Sequence, residues 1–348
     1  MKVDAQLPLG AELNPGPVAV AAEVAGYDAI WTSEVKHEPF VTLALAATAT
    51  ERLAVGSAVA LAFVRNPMST AVAANHLQEL SGGRLLLGLG SQVRAHVTRR
   101  FSMPWSQPAA RMREYIMAMR EIWACWQTGR PLRFEGDFYS HTLMTPFFDP
   151  GPNPYGAPRV LLAGVGPLMT AIAGEVADGF LCHGFTTERF LREVTIPALQ
   201  AGRERVGRDL TDFDVSGLPL IATGDTEVAM QAAVRAVRGQ IAFYGSTPAY
   251  RPVLDLHGWG ELGERLHQMS RDGAWAEMSD CIDDEVLNAF AVVAEPAAVA
   301  PELLRRYGDA MTRMTFYTPY EIDAELAATI ADAVRRAPTA VDSGVSDS

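Results

Sequence analysis

The feature of this sequence that most restricts its fold is the alternation of short apolar runs with segments of helical periodicity. The apolar runs lack the polar–apolar alternation of half-exposed strands, so they are typical of parallel strands buried on both faces. Eight such strands are predicted: Val3–Leu7, Ala29–Ser33, Leu53–Ala62, Leu85–Gly90, Val160–Gly164, Gly179–His183, Val215–Ala222 and Met314–Tyr317. The helical segments between them are Val18–Ala25, Thr70–Leu80, Arg111–Trp126, Leu168–Val176, Thr187–Val206, Thr226–Val237 and Ala297–Arg306. Eight strand–helix units favour a closed (β/α)8 TIM barrel over the alternative of an open doubly wound sheet.

The length of the chain leaves room for additions to one barrel. It has 348 residues, of which 49% are hydrophobic, whereas a barrel of this kind typically takes about 250 residues. We therefore predict a single barrel domain over residues 1–336 with an insertion near residues 245–282, where apolar residues recur at roughly helical spacing. The small and polar residues 337–348 are predicted to form a disordered tail.

Charge and cysteine content narrow the classes of function. The chain has 41 acidic against 29 basic residues, a net charge of −12 that repels phosphate backbones and anionic membranes and disfavours a nucleic-acid partner. Its three cysteines lie far apart, and no His/Cys spacing resembles a zinc site, so no metal site is predicted. No apolar run is long enough for a signal peptide or a membrane span, so a cytoplasmic location is expected.

Polar residues follow the second predicted strand, at the end of the barrel where active sites of this fold lie. Glu34 and His37 are the candidates there, because a carboxylate and an imidazole can both transfer protons. The alternative is structural: Glu34 as a rim residue and His37 as a helix cap. The residues alone leave both interpretations open.

The fourth and fifth predicted strands end in glycine-rich turns. Gly88 and Gly90 let a flat ring approach the backbone closely, but the third glycine and the acidic partner of a nicotinamide-dinucleotide fingerprint are absent. The segment from Gly164 to Gly166 is followed by Pro167, which is typical of a helix start with free backbone N–H groups. This turn is either an anion cradle or an ordinary tight connection between strand and helix.

The pair Cys182-His183 ends the sixth predicted strand. Neighbouring residues on a strand point to opposite faces, so this pair is not expected to form a nucleophilic dyad. A buried cysteine and a histidine facing the barrel mouth are predicted instead.

In combination, several segments resemble the luciferase-like monooxygenase superfamily. They are AGYDAIWTSE, VGSAVALAFVRNPMSTA, LSGGRLLLGLG, RMREY and AGEVADGF, in this order along the chain, with RMTFYTP fitting the last strand. The segments QVRAHVTRRF and MPWSQPAARMREY resemble those of actinobacterial members that depend on the deazaflavin coenzyme F420. The order of the segments carries the resemblance, since each alone is unspecific.

The resemblance implies a bacterial-luciferase-like barrel that binds coenzyme F420 or, as the alternative, flavin mononucleotide (FMN). It places a bulge with a non-prolyl cis peptide behind the cofactor ring, at positions matching Ala58-Val59. It also implies cofactor contacts from Glu34 and from Ser91 and Gln92 beside the ring. The residues that match the phosphate-binding turn are Gly164, Val165, Gly166, Leu168 and Met169. A homodimer is expected on the same ground.

The sequence departs from the superfamily's sugar-phosphate dehydrogenases at two positions. A histidine follows their second-strand acid and a glutamate follows their fourth-strand loop, where this chain has Val35 and Val93. His37 and His96 are the candidates to replace these catalytic groups. Three hypotheses result: an F420-dependent oxidoreductase that moves a hydride to or from a small organic substrate, an FMN-dependent monooxygenase, and a non-catalytic cofactor-binding protein.

Overall fold

A computed structural model describes residues 1–337 as a barrel of parallel strands surrounded by helices. The strands, in chain order, are β1 (Lys2–Gln6), β2 (Ala29–Thr32), β3 (Ala54–Ser57), β4 (Ala60–Leu61), β5 (Leu85–Gly90), β6 (Phe134–Glu135), β7 (Ser140–His141), β8 (Arg159–Gly164), β9 (Gly179–Cys182), β10 (Asp214–Gly217), β11 (Leu220–Ala222), β12 (Ala291–Val293) and β13 (Arg313–Thr315). The barrel runs β1, β2, β3 with β4, β5, β8, β9, β10 and β13, and the pairings β1–β13 and β3–β5 close it. The predicted (β/α)8 barrel is confirmed, and an open sheet is excluded.

Helices cover the outside of this barrel. They are α1 (Gly16–Val24), α2 (Pro39–Ala49), α3 (Pro67–Leu80), α4 (Pro108–Thr128), α5 (Pro167–Val176), α6 (Glu188–Phe190), α7 (Ile196–Glu204), α8 (Glu227–Gly245), α9 (Arg251–Leu256), α10 (Gly260–Asp272), α11 (Asp284–Phe290), α12 (Pro296–Tyr307) and α13 (Ala324–Arg336). Helix α2 was not predicted, and neither was α13. Among residues 1–337, no helix combines the length and the apolarity that crossing a membrane requires.

Two predicted strands are shorter in the barrel than the sequence suggests. The run Leu53–Ala62 is divided into β3 and β4 by a cis peptide between Ala58 and Val59, the position that the resemblance implied. The run Val215–Ala222 leaves the barrel after Gly217, because Pro219 has no N–H to donate to a strand ladder. Its second half, β11, pairs with β12 in a separate parallel pair that was not predicted.

The segment predicted as an insertion, residues 245–282, contains α9 and α10, with short helical turns at Pro248–Tyr250 and Met278–Cys281. Together with α8 and α11 it buries a second apolar core beside the barrel, around Phe185, Leu254, Leu266 and Phe290. This core lies next to the ends of β9 and β11. From residue 338 onward, the tail predicted over residues 337–348 lies outside the described residues.

A buried ion pair joins the first and last strands of the barrel. Arg313 on β13 donates to Asp4 on β1, from Nε at 2.7 Å and from Nη2 at 2.9 Å. Trp31 donates its indole N–H to the same carboxylate at 2.9 Å. The exposed fractions of the Arg313 and Asp4 side chains are 2% and 0%. The closing pairing β1–β13 therefore has an interstrand charge pair inside the barrel.

Candidate active site

The site is built on the carboxyl ends of the barrel strands, beginning with the cis peptide between β3 and β4. Ala58 donates its backbone N–H to the Thr32 carbonyl at 2.8 Å, and the Ser33 hydroxyl donates to the Ala58 carbonyl at 2.9 Å. Val59 and Ala58 are half-buried within an apolar cluster of the barrel interior. A Cβ on Gly90 would lie 2.6 Å from Val59 Cγ2, so the fourth barrel strand requires glycine there to pack against the bulge.

Glu34 forms hydrogen bonds that hold this bulge in position. Its backbone N–H donates to the Val59 carbonyl at 3.3 Å, and its carboxylate accepts from Leu61 N–H at 2.8 Å. The same carboxylate forms a bidentate pair with Arg65, at 2.7 and 3.0 Å. Burial opposes the charge of Arg65, but the bonds to Glu34 and Glu38 outweigh it and raise the pKa of the guanidinium. Glu34 thus lies at the predicted place, with both carboxylate oxygens occupied by the protein.

The turn after β8 presents the N-terminus of α5 without a side-chain cap. Gly166 is the N-cap residue, and no side chain bonds the first-turn amides. A Cβ on Gly166 would meet no atom within 4 Å, and Leu168 is exposed. The first amides of a helix have no partner inside it and carry partial positive charge. Gly164, Val165 and Met169 flank this position, so the turn offers the donors that a phosphate group requires.

Hydrogen bonds between side chains and backbone within the loop after β5 stabilise that loop. Gln92 has a left-handed backbone, with φ of 59°, and its side-chain oxygen accepts from the next backbone N–H at 2.8 Å. The Ser91 hydroxyl donates to the Gln92 carbonyl at 3.1 Å. Arg100 donates to the Val35 carbonyl at 2.9 Å, which ties this loop to the loop after β2. Ser91 and Gln92 therefore lie on the same rim as the bulge.

The two candidate catalytic histidines have different surroundings. His96 is exposed and begins the π-helical turn His96–Arg100. His37 is half-buried and lies near Glu12, a buried residue of the loop after β1. Backbone N–H donors lower the pKa of Glu12, and the charges of His37 and Lys36 add to this effect. The Glu12 carboxylate accepts the Gly10 backbone N–H within its own loop.

Four aromatic residues form what we call the rim aromatic cluster: His183, Tyr244, Tyr250 and Tyr317. His183 directly follows β9 and stacks on Tyr250 with ring centroids 4.4 Å apart, while Tyr244 meets its edge at 4.8 Å. The Tyr244 and Tyr317 hydroxyls lie 3.0 Å apart. Burial lowers the pKa of His183 to about 4, so the imidazole is neutral at physiological pH. The three tyrosines were not predicted, because they come from distant segments.

Cys182, beside this cluster, is buried. Burial raises the pKa of its thiol to about 12, so it carries no thiolate near neutral pH. The expectation of a buried cysteine is confirmed. Among residues 1–337, His, Cys, Asp and Glu side chains form no group of three or more that could hold a metal ion.

A cavity of about 780 Å³ lies at the opposite end of the barrel. Its lining includes Arg159, which begins β8, and Asp178 and Asp212, which precede β9 and β10. Active sites of this fold lie at the carboxyl ends of the strands, so this charged cavity is separate from the candidate site.

The barrel fold and the site at its carboxyl end match a known family of proteins. The family model described as luciferase-like monooxygenase matches residues 16–313. The chain belongs to the luciferase-like monooxygenase family.

Three proteins illustrate what the chain is similar to. An uncharacterized protein of Mycobacterium tuberculosis is 50% identical over 306 residues, which cover 88% of this chain and 90% of that protein. The 5,10-methylenetetrahydromethanopterin reductase of Archaeoglobus fulgidus is 26% identical, covering 79% of this chain and 80% of that one. Among solved structures, the coenzyme F420-dependent tetrahydromethanopterin reductase of Methanopyrus kandleri matches with a TM-score of 0.77 at 21% identity, covering 96% and 97% of the two chains.

Proposed function

We propose that this protein is a coenzyme F420-dependent oxidoreductase that transfers a hydride to or from a small organic substrate. The observation that carries the proposal is the half-buried apolar bulge at Ala58-Val59, located at the carboxyl end of the third barrel strand. A flat apolar surface at this place supports one face of a tricyclic ring and leaves the other face to a substrate.

The residues at the rim fit such a cofactor. Ala58 and Val59 would lie against the ring, with Ser91 and Gln92 at its edge and Glu34 holding the bulge in position. The bare α5 N-terminus at Gly166 would accept the phosphate of the cofactor tail, with Leu168 and Met169 in its first turn. When bound, the deazaflavin supplies the hydride chemistry, while the protein fixes the ring, excludes water and orients the substrate.

The deazaflavin is preferred over FMN because of a similar reductase. The Archaeoglobus fulgidus relative is a reductase, and its similarity extends over most of both chains. Of the two histidines, His37 is the better supported proton-transfer group, because it is half-buried whereas His96 is exposed. The non-catalytic alternative fails if reduced deazaflavin turns over with any substrate.

Hydrogen–deuterium exchange tests where the cofactor binds. We expect oxidised F420 to slow exchange in residues 58–61 and 165–170. Residues 207–212, at the cavity on the opposite end, serve as the internal control and are expected to be unaffected. Protection confined to that control segment would contradict the proposed site.

We also propose that the protein is a homodimer, as the family resemblance implies. Helices α2 and α3 present apolar side chains to solvent, with exposed fractions of 63% for Val41, 45% for Leu45 and 52% for Val72. Adjacent exposed apolar residues favour contact with a second copy. Sedimentation velocity is expected to give a dimer mass for the full chain and a monomer mass for a Val41→Glu variant.

A further inference from the structure

The rim aromatic cluster is connected to the proposed cofactor surface by strand geometry. Leu181 on β9 belongs to the apolar cluster inside the barrel that also contains Ala58 and Val59. Alternate residues of a strand point to the same side. His183, two positions beyond Leu181 and one beyond the end of β9, therefore lies on the same side, one step closer to the barrel mouth.

The hydrogen bonding of His183 leaves one donor available. Its Nδ1 accepts the Phe185 backbone N–H at 3.0 Å, which assigns the remaining proton of the neutral ring to Nε2. Within the described residues, Nε2 has no hydrogen-bond partner, and it is not among the orphaned polar atoms sealed from solvent. The Tyr250 hydroxyl is likewise without a partner in residues 1–337. The cluster thus offers two unused polar groups among stacked aromatic rings.

Among residues 1–337, no charged side chain contacts the cluster through a hydrogen bond or a ring. Burial is the first cause of the raised pKa values of Tyr244, Tyr250 and Tyr317, and the other contributions come only from tyrosines within the cluster. Burial alone accounts for the lowered pKa of His183. A charged substrate would lose its hydration here without gaining a counter-ion.

We propose that the rim aromatic cluster is the substrate-recognition site and selects an uncharged, flat, conjugated compound that carries a hydrogen-bond acceptor such as a ketone oxygen. The aromatic rings pack against the flat substrate, and His183 Nε2–H and the Tyr250 hydroxyl donate to its acceptor. His183 is then a specificity residue. This inference rests on the proposed function, because a substrate held there faces the ring that Ala58 and Val59 support.

Calorimetric titration with two matched probes tests the inference. Chromone is an uncharged, flat, conjugated ketone, and chromone-2-carboxylate has the same ring system with a negative charge. Each is titrated into the full-length protein with and without oxidised F420. We expect saturable binding of chromone and binding of the carboxylate that is at least about tenfold weaker. Equal affinities, or no binding of chromone, would overturn the inference.

Variants assign the binding to the cluster. His183→Phe keeps a flat ring and removes the donor, and Tyr250→Phe removes only the hydroxyl. Each is expected to weaken chromone binding about fivefold to tenfold. His183→Gln retains an N–H donor and is expected to restore part of the affinity. His257→Phe is the matched control, since His257 stacks on Trp259 and bonds Thr187 outside the cluster. If both His183→Phe and Tyr250→Phe leave the affinity unchanged, the inference is wrong.

The two F420 conditions separate this inference from the proposed function. Binding of F420 combined with chromone binding that ignores His183 would refute the substrate site and leave the cofactor proposal standing. Chromone binding that depends on His183, in a protein that does not bind F420, would refute the cofactor proposal and support the cluster as a binding site.

Discussion

At the scale of single residues, His183 shows how burial sets the chemistry of this rim. Its pKa is lowered to about 4 in the folded protein from an ordinary value of 6.5, because burial disfavours the charged imidazole. Between these two pH values the unfolded chain binds a proton that the native protein does not. Stability is therefore lost as the pH falls from 6.5 through 4, by at most about 3 kcal/mol, and this residue adds no pH dependence above that window.

This linkage predicts the behaviour of the His183→Phe variant. The free energy of unfolding of the variant should fall less steeply than that of the parent between pH 6.5 and 4. Urea unfolding at a series of pH values measures the difference, and the exposed His76→Phe variant controls for the loss of one histidine. Parallel pH profiles of the parent and His183→Phe would show that His183 is not held neutral by burial.

Glu34 allows a second prediction at this scale. Glu34→Gln keeps an acceptor for Leu61 N–H and loses the charged bidentate pair with Arg65, so the free energy of unfolding should fall by about 1.5–3 kcal/mol. Glu38→Gln is the matched control, since Glu38 contacts the same Arg65 but its side chain is 43% exposed, and we expect about 1 kcal/mol or less. Chemical denaturation compares the two variants. Equal losses would mean that Glu34 is no more than a surface partner of Arg65.

At the scale of elements, the uncapped start of α5 gives the third prediction. Gly166→Asp should be tolerated, because the backbone there has φ of −102° and a Cβ meets no neighbour within 4 Å. The new carboxylate caps the helix and adds a few tenths of a kcal/mol of stability. It also repels the phosphate of the cofactor, so affinity for F420 should fall about tenfold or more. Gly166→Ser, a cap without charge, should cost less affinity, and equal affinities for all three proteins would place the phosphate elsewhere.

The elements also show what the sequence can and cannot predict. All eight barrel strands were recognisable as short apolar runs, and the resemblance located the Ala58-Val59 bulge. Helix α2 was missed because Pro39–Ala49 is apolar on nearly all sides and so lacks the periodicity by which a helix is recognised. Strand β12 was missed because only three residues pair with β11, across a long separation in sequence.

The rim aromatic cluster could not be predicted either, because its residues are also far apart in the sequence. Tyr244 and Tyr317 are 73 positions apart, and no local pattern marks two tyrosines that meet only after the barrel closes. His183, by contrast, could be placed at the mouth because it ends a predicted strand. Site residues that belong to one strand end or one turn are therefore predictable, whereas contacts between distant loops are not.

At the scale of the whole molecule, the ion pair of Arg313 with Asp4 joins the first and last strands of the barrel. Arg313→Met would leave Asp4 charged and buried without its partner, so the free energy of unfolding should fall by about 3–5 kcal/mol. In the double variant Asp4→Asn with Arg313→Met, the amide still accepts from Trp31 and no charge is buried, so part of the loss should be recovered. Urea unfolding, followed by fluorescence, measures both variants. A loss below about 1 kcal/mol in the single variant would show that barrel closure does not depend on this pair.

The central proposal at this scale is that the protein uses coenzyme F420 as its cofactor. An anaerobic fluorescence titration tests this proposal most directly. The purified protein is titrated in parallel with oxidised coenzyme F420 and with FMN under the same conditions. We expect saturable binding of F420 with a Kd at least about tenfold below that of FMN. Tighter binding of FMN, or saturable binding of neither compound, would contradict it.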